Sequence, residues 1–314
     1  HDITADVGSI AITSTGAAIV QTAGDVEASA PSTSVTYTAN DVQMAGTTTA
    51  NAGSGVVNFI ANSGVAITIG AGGANFGVSD AELDSVQSAL RIEVGDSSSG
   101  AVTIDGAGIT FGPANVNTLV INSGSAINDN GSANIIDVDT LALIAATGIG
   151  STNRVEVETG ATTLAAQVTG VGNISINEQT DVTVGNVATN AGTISGLSTF
   201  QGSITLTTSN GSIVVGSPIV AGDNAGTNNF DVTLTATNAG TTANIVIGAD
   251  ITADNNAYLT AGDSIIRPSA GTVTGNLVEL DAGTGIGAAG APWQPIYTEA
   301  AVLTARTTTG GGIY

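Results

Sequence analysis

Residues Gly202 to Gly216 read GSITLTTSNGSIVVG. Ile204 and Leu206 alternate with Thr205 and Thr207, the period-two pattern of a strand with one apolar face. Ser-Asn-Gly then punctuates the run as a turn, and a second short run, Ile213 to Val215, follows at once. The same unit recurs along the chain: GSIAIT at Gly8, GVVNFI at Gly55, GVAITI at Gly64, GAVTID at Gly100, NTLVIN at Asn117 and GNISIN at Gly172. DVTVG at Asp181, DVTLT at Asp231, NIVIG at Asn244 and NLVEL at Asn276 continue it. Strands therefore run from end to end, bounded by Gly, Asn, Asp or Ser.

The spacing between neighbouring strands varies from about 9 to 20 residues, so no strict short period survives. Irregular spacing argues against a propeller with fixed blades. A parallel β-helix tolerates it, because each coil stacks its strands on the coil below while loops of any length bulge outward. Side-chain size points the same way. A sandwich core about 10 Å thick is filled with larger residues. This chain has 3% aromatics against 42% apolar residues, rich in Val, Ile, Ala and Leu, which suits a narrow bore of stacked aliphatic side chains. Gly and Asn at the corners supply the positive-φ conformations that tight bends need, and Asn side chains are expected to bond from coil to coil. The expectation is one continuous β-solenoid over residues 1–314.

One segment departs from the alternation. Ser79 followed by Glu82 forms a capping box, and Leu83, Val86 and Leu90 stand at helical spacing. A short helix is predicted from Asp80 to Leu90, lying on the solenoid or closing one end of it.

Charge and composition narrow the function. The 314 residues carry 26 acidic side chains against four Arg, no Lys and no Cys, a formal charge of −22. Nucleic-acid binding rests on Lys and Arg displacing counterions, so this surface repels phosphate backbones, and anionic lipid likewise. The apolar content excludes disorder. Absence of Cys rules out a disulfide framework. With no Lys and abundant Thr, Ser, Asn and Gly, the composition fits an exported bacterial surface protein. No apolar run of about 18 residues or more is present, and no signal peptide is recognisable. The start at His1 suggests a processed product or an excised segment.

Residues that do chemistry are scarce. The only His is His1, and the four Arg are scattered. A polysaccharide lyase needs a cationic base, and an inverting hydrolase needs two carboxylates about 6.5–9.5 Å apart. Asp137 and Asp139, in DVD, place two carboxylates on one strand face about 6.5–7 Å apart. They are the candidate Ca²⁺ contact; a solvated acidic face is the plainer reading, and no other cofactor is expected. NDNG at Asn128 and GDNAG at Gly222 lack the spacing of an EF-hand or a calcium β-roll and read as Asx turns. GAGG and GIGST have no following helix or Lys and are not phosphate loops. Trp293 and Tyr297, in the Pro-bounded APWQPIY, are a candidate contact loop for a glycan or a subunit, weighed against a rigid loop packed on the wall.

A longer repeat joins two distant segments. TGIGSTNRVEVETGATTLAAQVTGVGNISI from Thr147 aligns with TGIGAAGAPWQPIYTEAAVLTARTTTGGGIY from Thr284, about 139 residues apart, with two extra residues in the second copy. Leu164 matches Leu303, Ala166 matches Ala305 and Ile174 matches Ile313. The pattern GTGIGAAGAP…LTARTTTGGGIY, together with strands such as DITADVGSIAIT, resembles the repetitive shaft of filamentous-haemagglutinin-like adhesins, giant exported bacterial proteins. That resemblance implies a right-handed parallel β-helix, an extended rod, and a role in adhesion or extracellular fibres.

Neither terminus reads as a cap. The amino terminus enters a strand at Asp2 and Ile3, and the carboxyl terminus stops within one at Ile313 and Tyr314. Open ends of a solenoid expose unpaired backbone groups and a slice of apolar bore. The expected partner is another copy of the chain, stacked end to end in a contact that does not close. A surface adhesin binding glycans or cell-surface receptors is the second reading, and a polysaccharide-degrading enzyme a remote third.

Overall fold

Strands of successive coils lie directly on one another. The computed structural model describes all residues except 52, 72–74, 107, 111–115, 132–134, 151–154, 158–160, 223–228, 238–242 and 289–293. Among the described residues there are thirty-seven short strands and a single helix. Along one wall, Ile10–Thr13, Ser34–Ala39, Val56–Ala61, Arg91–Val94, Thr118–Ser123, Thr140–Ala145 and Thr163–Val171 pair in that order, all parallel. The fold is a parallel β-helix, as the alternation and the small side chains predict.

Register makes the core. Where the parallel strands pair without slip, an inward residue of one coil rests on an inward residue of the next. Ile92, Leu119, Leu141 and Leu164 form one column. Val182, Ile213, Ile245, Ile265 and Ile286 form another, every member at most 1% exposed. Ile174, Ile204, Val232, Ala257 and Val278 form a third. These columns join into one continuous core from Ile10 to Ile286. Burying each Val, Leu or Ile contributes about 1.5–3 kcal/mol, offset in large part by the conformational entropy of ordering the coil.

The short coils have 20 to 22 residues, the offsets between Ile245 and Ile265, between Ala257 and Val278, and between Leu119 and Leu141. Longer offsets mark excursions. Val57 to Ile92 spans 35 residues and contains the helix, α1 (Asp80–Asp84). Ala166 to Leu197 spans 31 and contains the antiparallel hairpin Asn186–Thr189 with Gly192–Ser195. Outward loops therefore hide the period without breaking the stack.

The bends are built by side chains. In the stretch Gly202 to Gly216, strands Ile204–Thr208 and Ile213–Val215 are joined at a bend where the buried Thr208 hydroxyl donates to the Gly211 carbonyl at 2.5 Å. Thr199 does the same to Gly202 one bend earlier, also at 2.5 Å. Corner residues also tie coil to coil. Asp181 Oδ1 accepts the Ser212 N–H at 2.7 Å, Ser212 Oγ accepts the Asn244 N–H at 3.1 Å, and Asn244 Oδ1 accepts the Ser264 N–H at 3.1 Å. Asn173 to Ser203 and Ser203 to Asp231 repeat the arrangement at another corner. The coil-to-coil ladder is thus a mixed Asn, Asp and Ser ladder; a side chain-to-side chain Asn rung occurs at Asn40 and Asn62, 2.7 Å apart.

Two expectations need correction in detail. The helix is one turn, Asp80–Asp84, and does not reach Leu90. Its capping box forms: Ser79 Oγ accepts the Glu82 N–H at 3.3 Å, and Glu82 Oε2 accepts the Ser79 N–H at 2.8 Å. The helix then yields to strand Val86–Ser88, because the edge of Thr48–Ala50 offers ladder bonds, beginning with the Thr48 N–H to the Ser85 carbonyl at 3.0 Å. Leu83, Val86 and Ala89 are buried, so α1 is part of the wall and closes neither end. The bore is also not uniformly small. Tyr37 and Phe59 stack between adjacent coils, ring centroids 5.5 Å apart, and Phe76 is also fully buried. The Tyr37 hydroxyl is satisfied by Thr48 Oγ1 at 2.7 Å, and burial pushes its pKa up.

The two aligned copies occupy different columns. Leu164 rests on Leu141, whereas Leu303 rests on Val278, in the column that passes through Ile174. Their likeness is that of one long strand leading into a glycine bend, Thr163–Val171 and Tyr297–Thr307.

Thr208→Val keeps the shape but strips the donor from the Gly211 carbonyl, and is expected to lower unfolding free energy by about 1–3 kcal/mol, read from urea denaturation. Gly95 has φ +79° and an added Cβ would lie 2.2 Å from the Asn122 carbonyl oxygen of the next coil. Gly95→Ala is expected to cost about 3 kcal/mol. At Gly64, φ +75° with open space around it, the same change is expected to cost about 1 kcal/mol; equal midpoint shifts for the two variants would contradict this account of the corners.

Candidate functional site

The surfaces that differ from the rest of the wall are the two ends of the stack. At the amino-terminal end the first coil consists of Ile3–Ala5, Ile10–Thr13 and Ala18–Gln21, each paired on one edge to the second coil. Among the described residues, no strand pairs with their other edge. Ile3 stands over the buried Val26, Ile12 over Tyr37, and Ile19 over Val42. These side chains point into the bore, yet Ile3 is 47% exposed because nothing rests on it. Ile3, Ile12, Ile19, Val26 and Tyr37 line a cavity of about 310 Å³ that opens at this mouth. Gln21 stands in its lining, donating from Nε2 to the Gly24 carbonyl at 2.6 Å, while its buried Oε1 has no hydrogen-bond partner among the described residues.

The carboxyl-terminal end repeats the arrangement. Strand Tyr297–Thr307 pairs along its length with Thr272–Ala282, and among the described residues no strand pairs with its other edge. Leu303 lies over Val278, Ala305 over Leu280, and Ile313 over Ile286. The lower members are at most 2% exposed, whereas Leu303 is 53% and Ile313 50% exposed. The Tyr314 N–H bonds to the Ile286 carbonyl at 2.9 Å, which holds the tail on the last coil. The Arg267 guanidinium lies over the half-exposed Tyr297 ring, 4.0 Å from its centroid, and donates to the Gly271 carbonyl at 2.6 Å.

The charged side chains beside the mouths, Asp2, Asp25 and Arg306, sit outside the bore. Asp2 Oδ1 accepts the Asp25 N–H at 3.1 Å, and Asp25 in turn accepts from the Thr47 hydroxyl at 2.6 Å. The exposed Arg306 pairs with Asp281, which raises the pKa of its guanidinium through hydrogen bonding and charge. Surface pairs of this kind add little to stability.

The structure thus divides the expected residues. Asp2 and Ile3 stand at one end of the stack; Tyr297, Ile313 and Tyr314 stand at the other. Trp293 lies outside the described residues. Asp137 ends strand Ile135–Asp137, and Asp139 follows beyond it, with the buried Val138 turned inward between them. The Asp139 carbonyl accepts from the Thr163 N–H at 3.1 Å and the Thr162 hydroxyl at 3.0 Å. No group of three or more His, Cys, Asp or Glu suited to a metal ion occurs among the described residues. Of the two other acidic motifs, NDNG is a turn in which Asp129 Oδ1 accepts the Gly131 N–H at 2.9 Å, and most of GDNAG lies outside the described residues. Sequence reading named the last residues at each end but missed the inward ones that form the mouths: Ile12, Ile19 and Tyr37 at one, Leu303 and Ala305 at the other. Alternation in SVTYTA and VLTART carries that signal. No family model, curated protein or solved structure matches this chain. Among the described residues, no helix is long and apolar enough to cross a membrane.

If the bore truly ends open, truncating the last layer costs less than truncating the one beneath. Leu280→Ala is expected to cost about 3 kcal/mol and Leu303→Ala less than about 1 kcal/mol in dilute solution. Comparable losses from the two would show that Leu303 is covered.

Proposed function

We propose that this chain is a structural rod, a subunit or segment of an extracellular bacterial fibre, whose open ends are each continued by a further β-coil from another copy. The observation that carries the reading is the pair of mouths: at each end, columns that are buried one coil deeper become half exposed in the outermost coil. An exposed strand edge with an apolar face is a template for another strand. Both mouths present parallel edges of the same stack, so one copy's last coil meets another's first as a ladder that continues in the same direction. A contact between unlike surfaces of identical units propagates as a filament. The composition, acidic and free of Lys and Cys, supports an address outside the cell. The likeness to filamentous-haemagglutinin-type shafts supports the rod.

The test is the state of the purified chain. Negative-stain images and light scattering are expected to show end-to-end particles of uniform width whose length grows with concentration. Leu303→Asp with Ile313→Asp is expected to leave single rods of unchanged circular dichroism. Wild-type particles that stay single at high concentration, or single particles that bind a glycan saturably, would overturn the fibre reading; the second result would favour an adhesin.

A further inference from the structure

The hairpin Asn186–Thr189 with Gly192–Ser195 is the one antiparallel strand pair among the described residues. It leaves the coil at Gly185 and returns at Gly196, and the Gly196 N–H bonds to the Gly185 carbonyl at 2.8 Å. The wall therefore closes beneath it, and the hairpin is not needed to complete its own coil. It lies instead along the stack. Val187 and Ile194 pack on Val120, Ala142, Ile144 and Ala165, which project from the outside of three successive strands, Thr118–Ser123, Thr140–Ala145 and Thr163–Val171.

The tip reaches two coils further. The Asn190 N–H donates to Glu93 Oε1 at 2.7 Å, its Nδ2 donates to Asn58 Oδ1 at 2.8 Å, and its Oδ1 accepts from Arg91 Nη2 at 2.9 Å. Arg91 Nε also pairs with Glu93 Oε1 at 2.5 Å. Glu93 and Asn58 are 3% and 6% exposed. Asn190 is 97 to 132 residues from these partners, so the contact is wholly tertiary.

We propose that this hairpin is an axial clasp, which ties five successive strands, from Val56–Ala61 to Thr163–Val171, into one cooperative block. In a solenoid each coil touches only its neighbours, and stability is close to a sum of nearest-neighbour terms. Coils can then separate one at a time. Four spacings of about 4.8 Å put the outer strands of this block about 19 Å apart, and the hairpin bridges that distance with an apolar underside and a charged latch at its tip. Coils near Asn58 cannot leave the stack until Asn190 releases. The inference does not rest on the fibre reading, since it concerns one chain and neither end.

Hydrogen exchange on the full chain tests it. Asn190→Ala is expected to speed exchange about tenfold or more, the effect of losing a hydrogen bond to a charged group. The acceleration must appear in Val56–Ala61 and Arg91–Val94 as well as in the hairpin. Faster exchange confined to residues 186–195 would make the hairpin a decoration and overturn the clasp. Because the chain has no Cys, Asn58→Cys combined with Asn190→Cys gives a switchable latch. Oxidation is expected to slow exchange across all five strands relative to the reduced protein. A pair that does not oxidise, or that oxidises without effect beyond the hairpin, would equally count against it.

Discussion

Vertical contact between like aliphatic side chains, about 4.8 Å apart from coil to coil, is the constraint on which the molecule depends. A column such as Val182, Ile213, Ile245, Ile265 and Ile286 exists only while the parallel ladder stays in register. A slip of one residue would turn Ile213 outward and Ser212 or Val214 inward. Register is guarded at the bends. The threonine hydroxyls that close onto glycine carbonyls, and the corner Asp, Ser and Asn that bond to the next coil, fix where each strand begins. The core is therefore thin and weakly specified by shape, and strongly specified by its corners.

Spreading 26 acidic residues along such a wall makes a charge of −22 tolerable. Side chains further apart than about 8–10 Å are screened from one another at ordinary salt. Glu93, Asp129 and Glu178 are buried; Glu93 is answered by Arg91 and by the hairpin tip, Asp129 accepts the Gly131 N–H, and Glu178 accepts those of Gln179 and Thr180. Elsewhere the wall presents Thr, Ser and Asn between the apolar columns, which keeps a two-sided sheet wet on its outer face.

Strand identity was legible because alternation in runs such as GSITLT needs no partner to be recognised. The capping box at Ser79 and Glu82 was legible for the same reason: it is complete within four residues. Coil length was not, because it is a distance between strands, and excursions of different size separate them. The hairpin shows why. No signal within NVATNAGTIS points to the outer wall, and the partners of Asn190 are about a hundred residues away, where Arg91 and Glu93 look like an ordinary strand face. The end of α1 was misjudged because helical spacing continues to Leu90, while the edge that captures Val86 comes from Thr48, far earlier in the chain. At the mouths, Ile3 and Ile313 were found by their place in the chain, but Leu303 and Tyr37 required knowing which residue lies over which.

The corner ladder has a sense. From Asp181 to Ser212, Ser212 to Asn244 and Asn244 to Ser264, the side-chain oxygen belongs to the earlier coil and the N–H to the later one. The wall is vectorial, like a one-way zip, and turning one unit end over end would present strands of opposite direction and oxygen to oxygen. Any lengthening that preserves the lattice is polar, with two chemically unlike tips, so that material tethered at one tip carries the same face outward along its whole extent.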